Sequence, residues 1–232
     1  MKIFLVSLDN VTGKERRSRL NYSYEIDYGN TSLDFVDPNI IKKMSRNNSN
    51  DNLFRIKCCH FDQMIKLLKR IVNEKLDNVI ICEDDAIDLE LIDISYSSGI
   101  IKEPVLLNAK LHHPKSWKLD TKKNFNENIK PIINKFVNGI NEIDYEKYRW
   151  SCCACIYYGS WKSVENILNY YEKDKKQLTY FDLWLSKNKL IKYLYYPSLF
   201  KIDDNGSSQV NDHNHGVIKN YEVFPHNKKN KI

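Results

Sequence analysis

The chain has 232 residues, a length that allows one α/β domain with a full core or at most two small ones. Its content of 42% hydrophobic and 28% charged residues is that of an ordinary soluble globular protein. Its net charge of +6 and pI near 8.8 suit an anionic partner such as a nucleotide sugar, a nucleic acid or a membrane surface, although most lysines are expected to form a solvated surface. No apolar run approaches the roughly 20 residues of a membrane span and none resembles a signal peptide, so we expect a soluble, cytoplasmic protein.

Hydrophobic periodicity predicts strands and helices in alternation, which is the order of an α/β sheet. The elements predicted for the first half are a strand at 2–8, a turn at Gly13 and a helix carrying Arg16, Arg17 and Arg19, a polar loop at 46–52, a helix at 61–76 and a buried strand at 79–82. Those predicted for the second half are a strand at 105–107, a loop at 111–114, a strand at 152–158, a helix from 161, a short helix at 180–185 and a strand at 190–196. The basic tail, 225–232, is expected to be disordered.

The cysteines lie in apolar runs and, without a secretory signal, are expected to be reduced and buried. A zinc site formed by Cys58, Cys59 and His60 with the second cysteine cluster is conceivable but disfavoured, because the sequence has no C-x-x-C pair and adjacent residues of a strand point to opposite faces. The cysteines are Cys58, Cys59, Cys82, Cys152, Cys153 and Cys155.

Three consecutive acids, Glu83, Asp84 and Asp85, directly follow the predicted buried strand at 79–82. In open α/β sheets, ligands bind at the carboxyl ends of strands. Carboxylates held together there repel each other, by roughly 1 kcal/mol at about 4 Å in water and by several times more inside a protein. A hard divalent cation relieves that repulsion, because Mg²⁺ and Mn²⁺ prefer oxygen ligands. Strand alternation would place Glu83 and Asp85 on one side, where they can hold one ion.

An alternative interpretation of these acids is a solvated acidic turn, because Asp88, Glu90 and Asp93 continue the acidity. Composition alone does not separate the two interpretations. The buried strand that precedes the acids favours the metal site.

The strand followed by Glu-Asp-Asp resembles the signature of glycosyltransferase family 25, which includes lipopolysaccharide galactosyltransferases and procollagen galactosyltransferase domains. Further short blocks resemble the family's opening strand with an arginine pair, its mid-chain strand with a serine turn, and its late Asp-x-x-Leu and Tyr-x-x-Pro blocks. In this chain they are 3–9 with Arg16-Arg17, 156–160, and 181–185 with 195–199. The chain departs from the family at 58–63, where Cys-Cys-His-Phe-Asp-Gln replaces Gly-Cys-x-x-Ser-His, and after Pro197, where the usual glutamine is missing.

The resemblance implies a single GT-A-like domain over 1–224, a Rossmann-type fold with a mixed, mainly parallel central sheet flanked by helices. It also implies an inverting, Mn²⁺- or Mg²⁺-dependent transfer of a hexose or pentose from a UDP-sugar to a hydroxyl of a glycan or protein acceptor, with no nucleic-acid partner. Under the resemblance, the metal would be held by Glu83 and Asp85 with His213 or His215, the donor would be bound by Ser7, Leu8, Arg16, Arg17 and Asp84, and the catalytic base would be Asp182.

Each assignment has a plainer alternative: solvated helix residues for Arg16 and Arg17, a helix-terminal acid for Asp182, and a surface loop for His213 and His215. Two other functions also stay open. One is a metal-dependent phosphoryl-transfer enzyme or nuclease that uses the same acids; the other is a non-catalytic module that binds a nucleotide sugar. No pattern in the sequence indicates the donor sugar, the acceptor, the linkage or the oligomeric state.

Overall fold

The computed structural model describes residues 1–44, 51–87, 101–108, 110–112, 130–151, 155–196, 199 and 201–202. Its strands are β1 (Lys2–Ser7), β2 (Glu25–Tyr28), β3 (Val79–Glu83), β4 (Ala86–Ile87), β5 (Pro104–Leu106), β6 (Lys110–His112), β7 (Gly139–Glu142), β8 (Arg149–Ser151), β9 (Cys155–Tyr158), β10 (Tyr193–Tyr196) and β11 (Lys201–Ile202). Its helices are α1 (Val11–Arg17), α2 (Pro38–Lys43), α3 (Asp51–Asn73), α4 (Lys130–Ile133), α5 (Trp161–Lys173) and α6 (Phe181–Lys187), with a 3₁₀ turn at Leu33–Phe35. Within these ranges, none of the helices combines the length and the apolarity that a membrane crossing needs.

A seven-stranded mixed sheet forms the centre of the described structure, in the order β2-β1-β3-β9-β5-β10-β7. β1 pairs in parallel with β2 and β3, and β5 pairs in parallel with β10. β9 lies antiparallel between β3 and β5, and β7 lies antiparallel at the edge beside β10. Only β9 and β7 therefore run against the other strands of this sheet. The prediction of an α/β fold with a mixed, mainly parallel sheet flanked by helices is confirmed at this level.

The order of the first three strands creates a crevice at one edge of the sheet. After β1 the chain moves to β2 on one side and later returns across β1 to β3 on the other side. The segments that leave β1 and β3 therefore diverge, and ligands of open α/β sheets bind at such a switch point. Because Val6 pairs with Glu83 in the parallel register, the residues that follow these two strands lie at the same crevice.

Two short strand pairs lie outside the main sheet. β4 pairs with β11, and β6 pairs with β8. The predicted loop at 111–114 was therefore wrong at its start, because Lys110–His112 is a strand. Its partner, Arg149–Ser151, is distant in the sequence, so the local pattern did not reveal the pairing.

The long helix α3 begins at Asp51, well before the predicted start at 61. The apolar spacing continues upstream of 61, but the polar residues between the buried positions obscure it. The additional buried positions are Leu53, Phe54, Lys57, Cys58 and Cys59. The strand alternation used against a zinc site consequently does not apply to Cys58 and Cys59, which lie on this helix. Asn78, with a positive φ of 55°, lies in the turn between α3 and β3. The strand runs back along the helix after this turn, so the N-terminal half of α3 lies beside the carboxyl end of β3.

Aromatic packing joins α3 to α5 and α6. The fully buried ring of Phe61 lies with centroid distances of 5.9, 5.5 and 5.5 Å from Tyr171, Phe181 and Trp184. The Trp184 Nε1 also donates a hydrogen bond to the Asp174 carboxylate at 3.0 Å. These contacts fix the position of α6 against α3.

Cys82 and Cys155 form a disulfide between β3 and β9. The expectation of reduced cysteines was therefore wrong for this pair, whereas it is confirmed for Cys58 and Cys59, which are buried thiols outside any disulfide. The antiparallel register places Cys82 opposite Cys155 with their Cα atoms 4.3 Å apart, close enough for a cross-strand bridge. The sequence separation of 73 residues hid this proximity. Cys152-Cys153, the tail at 225–232 and the C-terminal boundary of the predicted domain lie outside the described residues.

We expect Phe61→Ala to lower the free energy of unfolding by about 3–5 kcal/mol, because it removes a buried ring that packs against other aromatic rings. Urea unfolding followed by circular dichroism measures the change. The matched control is Phe35→Ala, because Phe35 is 65% exposed and its loss should change stability by less than about 0.5 kcal/mol. Equal effects of the two substitutions would contradict the described packing of α3.

Candidate functional site

The predicted acids occupy the end of β3 and the turn that follows it. Glu83 is the last residue of β3, whereas Asp84 and Asp85 form the turn to β4. The expected strand alternation between Glu83 and Asp85 was therefore wrong, because the strand ends before Asp85. The Tyr22 hydroxyl donates a hydrogen bond to the Ala86 carbonyl at 2.9 Å and holds the far end of the turn. The turn gives each of the three carboxylates a different environment.

Asp84 is 5% exposed, and both of its carboxylate oxygens accept hydrogen bonds. Arg16 Nη1 donates to Oδ1 at 2.9 Å, and the Ser7 hydroxyl donates to Oδ2 at 2.7 Å. Arg16 is itself 8% exposed, so the ion pair is shielded from water. A buried carboxylate is tolerated when it has a charged partner and a further donor, and removing either residue of the pair would leave the other charge buried alone.

Arg17 ties the same network to the end of β1. Its Nη1 donates to Ser7 Oγ at 2.5 Å and to the Leu8 carbonyl at 2.8 Å, and its guanidinium lies 5.2 Å from the centroid of the Tyr28 ring. Gly13 permits this close packing, because a Cβ at that position would collide with the Leu8 carbonyl oxygen. Helix α1 therefore packs tightly on the end of β1, with both arginine side chains buried.

The residues predicted to bind the donor lie together in the structure: they are Ser7, Leu8, Arg16, Arg17 and Asp84. They contact one another, and this network holds the loop after β1 against the acidic turn. The alternative that both arginines are solvated helix residues was wrong, because both are buried. A role for the five residues in binding a donor stays a prediction.

Asp85 follows Asp84 but does not share its hydrogen bonds. Its Oδ1 is buried and has no hydrogen-bond partner in the part of the chain that the structure describes. Burial and the neighbouring Glu83 charge raise the pKa of Asp85 to about 7, against a smaller opposing effect of Arg16. A carboxylate in such an environment is stabilised by a proton or by a bound cation.

Glu83, His60 and Asp182 form the polar wall of a small pocket at the end of β3. His60 Nε2 lies 3.4 Å from Glu83 Oε1. Asp182 reaches the pocket from the first turn of α6, where its Oδ1 accepts a hydrogen bond from the Leu183 amide at 2.7 Å. The rest of the lining is apolar and consists of Met64, Ile81, Cys82, Ile156 and Phe181. The predicted base and one predicted metal ligand therefore border the same pocket.

His60 was considered only for the disfavoured zinc site and was not predicted to belong to the site after β3. Burial would lower its pKa, but the carboxylates of Glu83, Asp182 and Asp85 outweigh burial and leave the pKa above its usual value. A signal for His60 was present in the sequence, because it lies one turn before Met64 on α3, and both line the pocket. Residues four apart share a helix face, but the predicted helix began too late to include His60.

The predicted metal ligands are only partly brought together. Glu83 and Asp85 occupy neighbouring positions at the end of β3, whereas His213 and His215 lie outside the described residues. Among the residues that are described, no three His, Cys, Asp or Glu side chains are already arranged as a metal site. The metal assignment therefore stays a prediction, for which the unpaired Asp85 oxygen is the relevant observation.

Comparison with protein-family models and with curated proteins finds no match to this chain. The resemblance to glycosyltransferase family 25 consequently rests on the sequence blocks alone. The fold and the site define a class by themselves: an α/β protein with buried acids at the crevice between β1 and β3.

We expect Asp85→Asn to raise the free energy of unfolding above pH 7 by more than about 1 kcal/mol, because one pKa unit corresponds to about 1.4 kcal/mol. The native pKa is raised from 3.8 to about 7, so the native protein binds this proton more tightly than the unfolded chain does. The contribution of Asp85 to stability is therefore greatest at low pH and is lost as the pH rises through that interval. The advantage of the asparagine variant should shrink as the pH is lowered.

Urea unfolding at alkaline and at mildly acidic pH, with a chelator present, measures this effect. Asp9→Asn is the matched control, because the Asp9 side chain is 63% exposed and its replacement should change stability little at either pH. A loss of stability in Asp85→Asn that is the same at both pH values would contradict the described environment of Asp85.

Proposed function

We propose that this protein is a metal-dependent glycosyltransferase that moves a hexose or pentose from a nucleotide sugar, with UDP as the expected nucleotide, to an acceptor hydroxyl with inversion. The observation that carries the proposal is the Asp85 carboxylate beside the β1–β3 crevice, whose Oδ1 is buried without a hydrogen bond from any of the described residues. Burying a carboxylate without a counter-charge is costly unless a proton or a cation joins it. The Glu-Asp-Asp block and the other sequence blocks favour a GT-A-like glycosyltransferase among the proteins that use such a crevice.

The ligand atoms offered by Glu83 and Asp85 suit a hard divalent cation. Both side chains supply carboxylate oxygens, which are the ligands that Mg²⁺ and Mn²⁺ prefer. Mg²⁺ in phosphate-handling sites is commonly held by one or two carboxylates together with substrate phosphates and water, so the proposal does not require a preformed group of three protein ligands. When bound, the cation would neutralise the negative charge that develops on the leaving nucleoside diphosphate.

The buried network around Asp84 has a positioning role in this proposal. Arg16 and Ser7 hold the Asp84 carboxylate, and Tyr22 holds the backbone at Ala86 on the other side of Asp85. The turn is thus secured before and after Asp85, which keeps that carboxylate buried near Glu83. Fixed charges and dipoles that need no rearrangement during the reaction are what electrostatic catalysis requires.

Asp182 is the residue that we propose as general base. An inverting transfer needs one base beside the acceptor hydroxyl, and Asp182 lines the same pocket as Glu83. Its helix is held in place by the packing of Phe61 against Phe181 and Trp184. Asp182 would take the proton of the acceptor hydroxyl. The acceptor oxygen would then bond to the anomeric carbon as the bond from that carbon to the nucleoside diphosphate breaks.

We expect the purified protein to transfer or hydrolyse a UDP-sugar only when Mn²⁺ or Mg²⁺ is present. Asp85→Ala should reduce turnover by more than about 100-fold, because a metal ion supplies several kcal/mol of charge stabilisation and each 1.4 kcal/mol is about tenfold in rate. UDP release with and without a chelator measures the effect. Glu165→Ala, which removes an exposed carboxylate from α5, is the matched control and should retain full turnover.

Each contrary outcome of this assay has a distinct meaning. Full turnover by Asp85→Ala would remove Asp85 from the site. Metal-dependent cleavage of nucleic acid, without any turnover of UDP-sugars, would place the protein among phosphoryl-transfer enzymes. Binding of UDP without transfer to any acceptor would identify a binding module that has no glycosyltransferase activity.

We expect Asp182→Asn to lower kcat by about 10²–10⁴-fold, because the amide has nearly the same shape but cannot accept the proton. The affinity for UDP in the presence of Mn²⁺, measured by calorimetry, should stay close to that of the wild type. Asp34→Asn, an exposed carboxylate outside the pocket, controls for the change of charge. Weakened UDP binding with an unchanged kcat would argue against the base role.

A further inference from the structure

We propose that His60 is a ligand of the divalent cation together with Glu83 and Asp85, and that its nitrogen gives the site a preference for transition metals over Mg²⁺. This inference rests on the proposed function, because it concerns the same metal. His60 belongs to α3, in the first third of the chain, whereas the family resemblance assigned the histidine ligand to His213 or His215.

The distance between the ligand atoms of His60 and Glu83 is the first observation. Nε2 and Oε1 are 3.4 Å apart. Two atoms that each bind one ion at about 2.0–2.2 Å lie roughly 2.8–3.6 Å from each other, for angles at the metal between a right angle and the tetrahedral angle. A charge-assisted hydrogen bond would instead bring the nitrogen and oxygen to about 2.7–2.9 Å. The observed separation is longer than a charge-assisted hydrogen bond and lies within the range for two ligands of one ion.

The second observation is that two buried polar atoms near Glu83 receive no hydrogen bond from the described residues. His60 Nε2 and Asp85 Oδ1 are both buried, and neither has a hydrogen-bond partner within the described ranges of the chain. Buried polar atoms nearly always have a partner. A metal ion satisfies an imidazole nitrogen and a carboxylate oxygen at the same time, because both are common ligands of divalent transition metals.

The space and the rigidity of the pocket agree with a single bound ion. The free space inside the pocket is about that of one water molecule, and His60 and Glu83 both border it. The residue after His60 is Phe61, whose ring is fully buried against α5 and α6. The backbone at His60 is therefore held in place, so a metal ligand at this position would be preorganised.

An imidazole ligand also changes which metals the site prefers. Mg²⁺ favours an all-oxygen ligand shell, whereas imidazole nitrogen suits transition metals. A site made of Asp85 and Glu83 alone would discriminate weakly between the two classes of ion. With His60 as a third ligand, the site should bind Co²⁺ in preference to Mg²⁺.

Calorimetric titration of the full chain with Co²⁺ and with Mg²⁺, in the presence of UDP, tests this inference. We expect His60→Gln to weaken Co²⁺ binding by at least about tenfold and Mg²⁺ binding much less. Lys69→Gln, an exposed position on the same helix, is the control and should bind both ions as the wild type does. The melting temperature without metal shows whether each variant is folded.

Pulsed electron paramagnetic resonance of the Mn²⁺-loaded protein provides a second readout, because a coordinated imidazole couples its nitrogen to the electron spin. We expect this coupling in the wild type and in a variant that lacks both His213 and His215, and its loss in His60→Gln. Coupling that disappears only in the variant without the late histidines, or is absent from the wild type, would overturn the assignment of His60. Equal Co²⁺ affinity of the wild type and His60→Gln would also overturn the inference. All three of these results leave the proposed function intact. If the wild type binds no divalent cation even with UDP, both the inference and the metal dependence of the proposed function fail.

Discussion

The buried ion pair between Arg16 and Asp84 is the interaction on which the rest of the site depends. Two adjacent aspartates follow β3, and Asp84 is paired with an arginine at 2.9 Å while Asp85 Oδ1 has no hydrogen-bond partner in the described residues. Without Arg16, the buried Asp84 carboxylate would lack a counter-charge next to the half-buried Asp85, which is costly. With Arg16 in place, Asp84 anchors the turn and Asp85 is kept in an environment that raises its pKa. The pairing of Asp84 with Arg16 therefore allows Asp85 to remain in an environment that disfavours its charged form.

This ion pair also joins two segments that are distant in the sequence. Arg16 lies on the helix after β1, and Asp84 lies on the turn after β3; the two strands are parallel neighbours, so their carboxyl ends meet. β2 lies on the opposite side of β1, which draws the chain after β1 away from β3 and opens the crevice. The sheet order thus brings α1 and the acidic turn together, and the Ser7 and Arg17 hydrogen bonds complete their attachment.

The site has two parts with different electrostatics. On the α1 side, the acid is neutralised and its hydrogen bonds are satisfied, which is the character of a structural support. On the α3 and α6 side, acids outnumber the bases and two buried atoms have no hydrogen-bond partner among the described residues. The members of this second part are Glu83, Asp85, His60 and Asp182. The difference between the two parts is the physical reason for placing the cation and the chemistry on the second one.

Local features of the sequence were sufficient to predict β1, β3, α5 and α6 and the position of the acids after β3, because short-range periodicity and the end of an apolar run are visible within a few turns of chain. They were insufficient for the start of α3, and for the β6–β8 pair and the Cys82–Cys155 bridge, which depend on segments that meet only after folding. The sequence by itself determined that the arginines would follow the first strand and that the acids would follow the strand at 79–82. Only the tertiary structure decided that Arg16 pairs with Asp84, that Asp85 Oδ1 is buried beside that pair, and that His60 approaches Glu83. Burial and charge pairing are properties of neighbours in space, and the order of residues along a chain does not specify them.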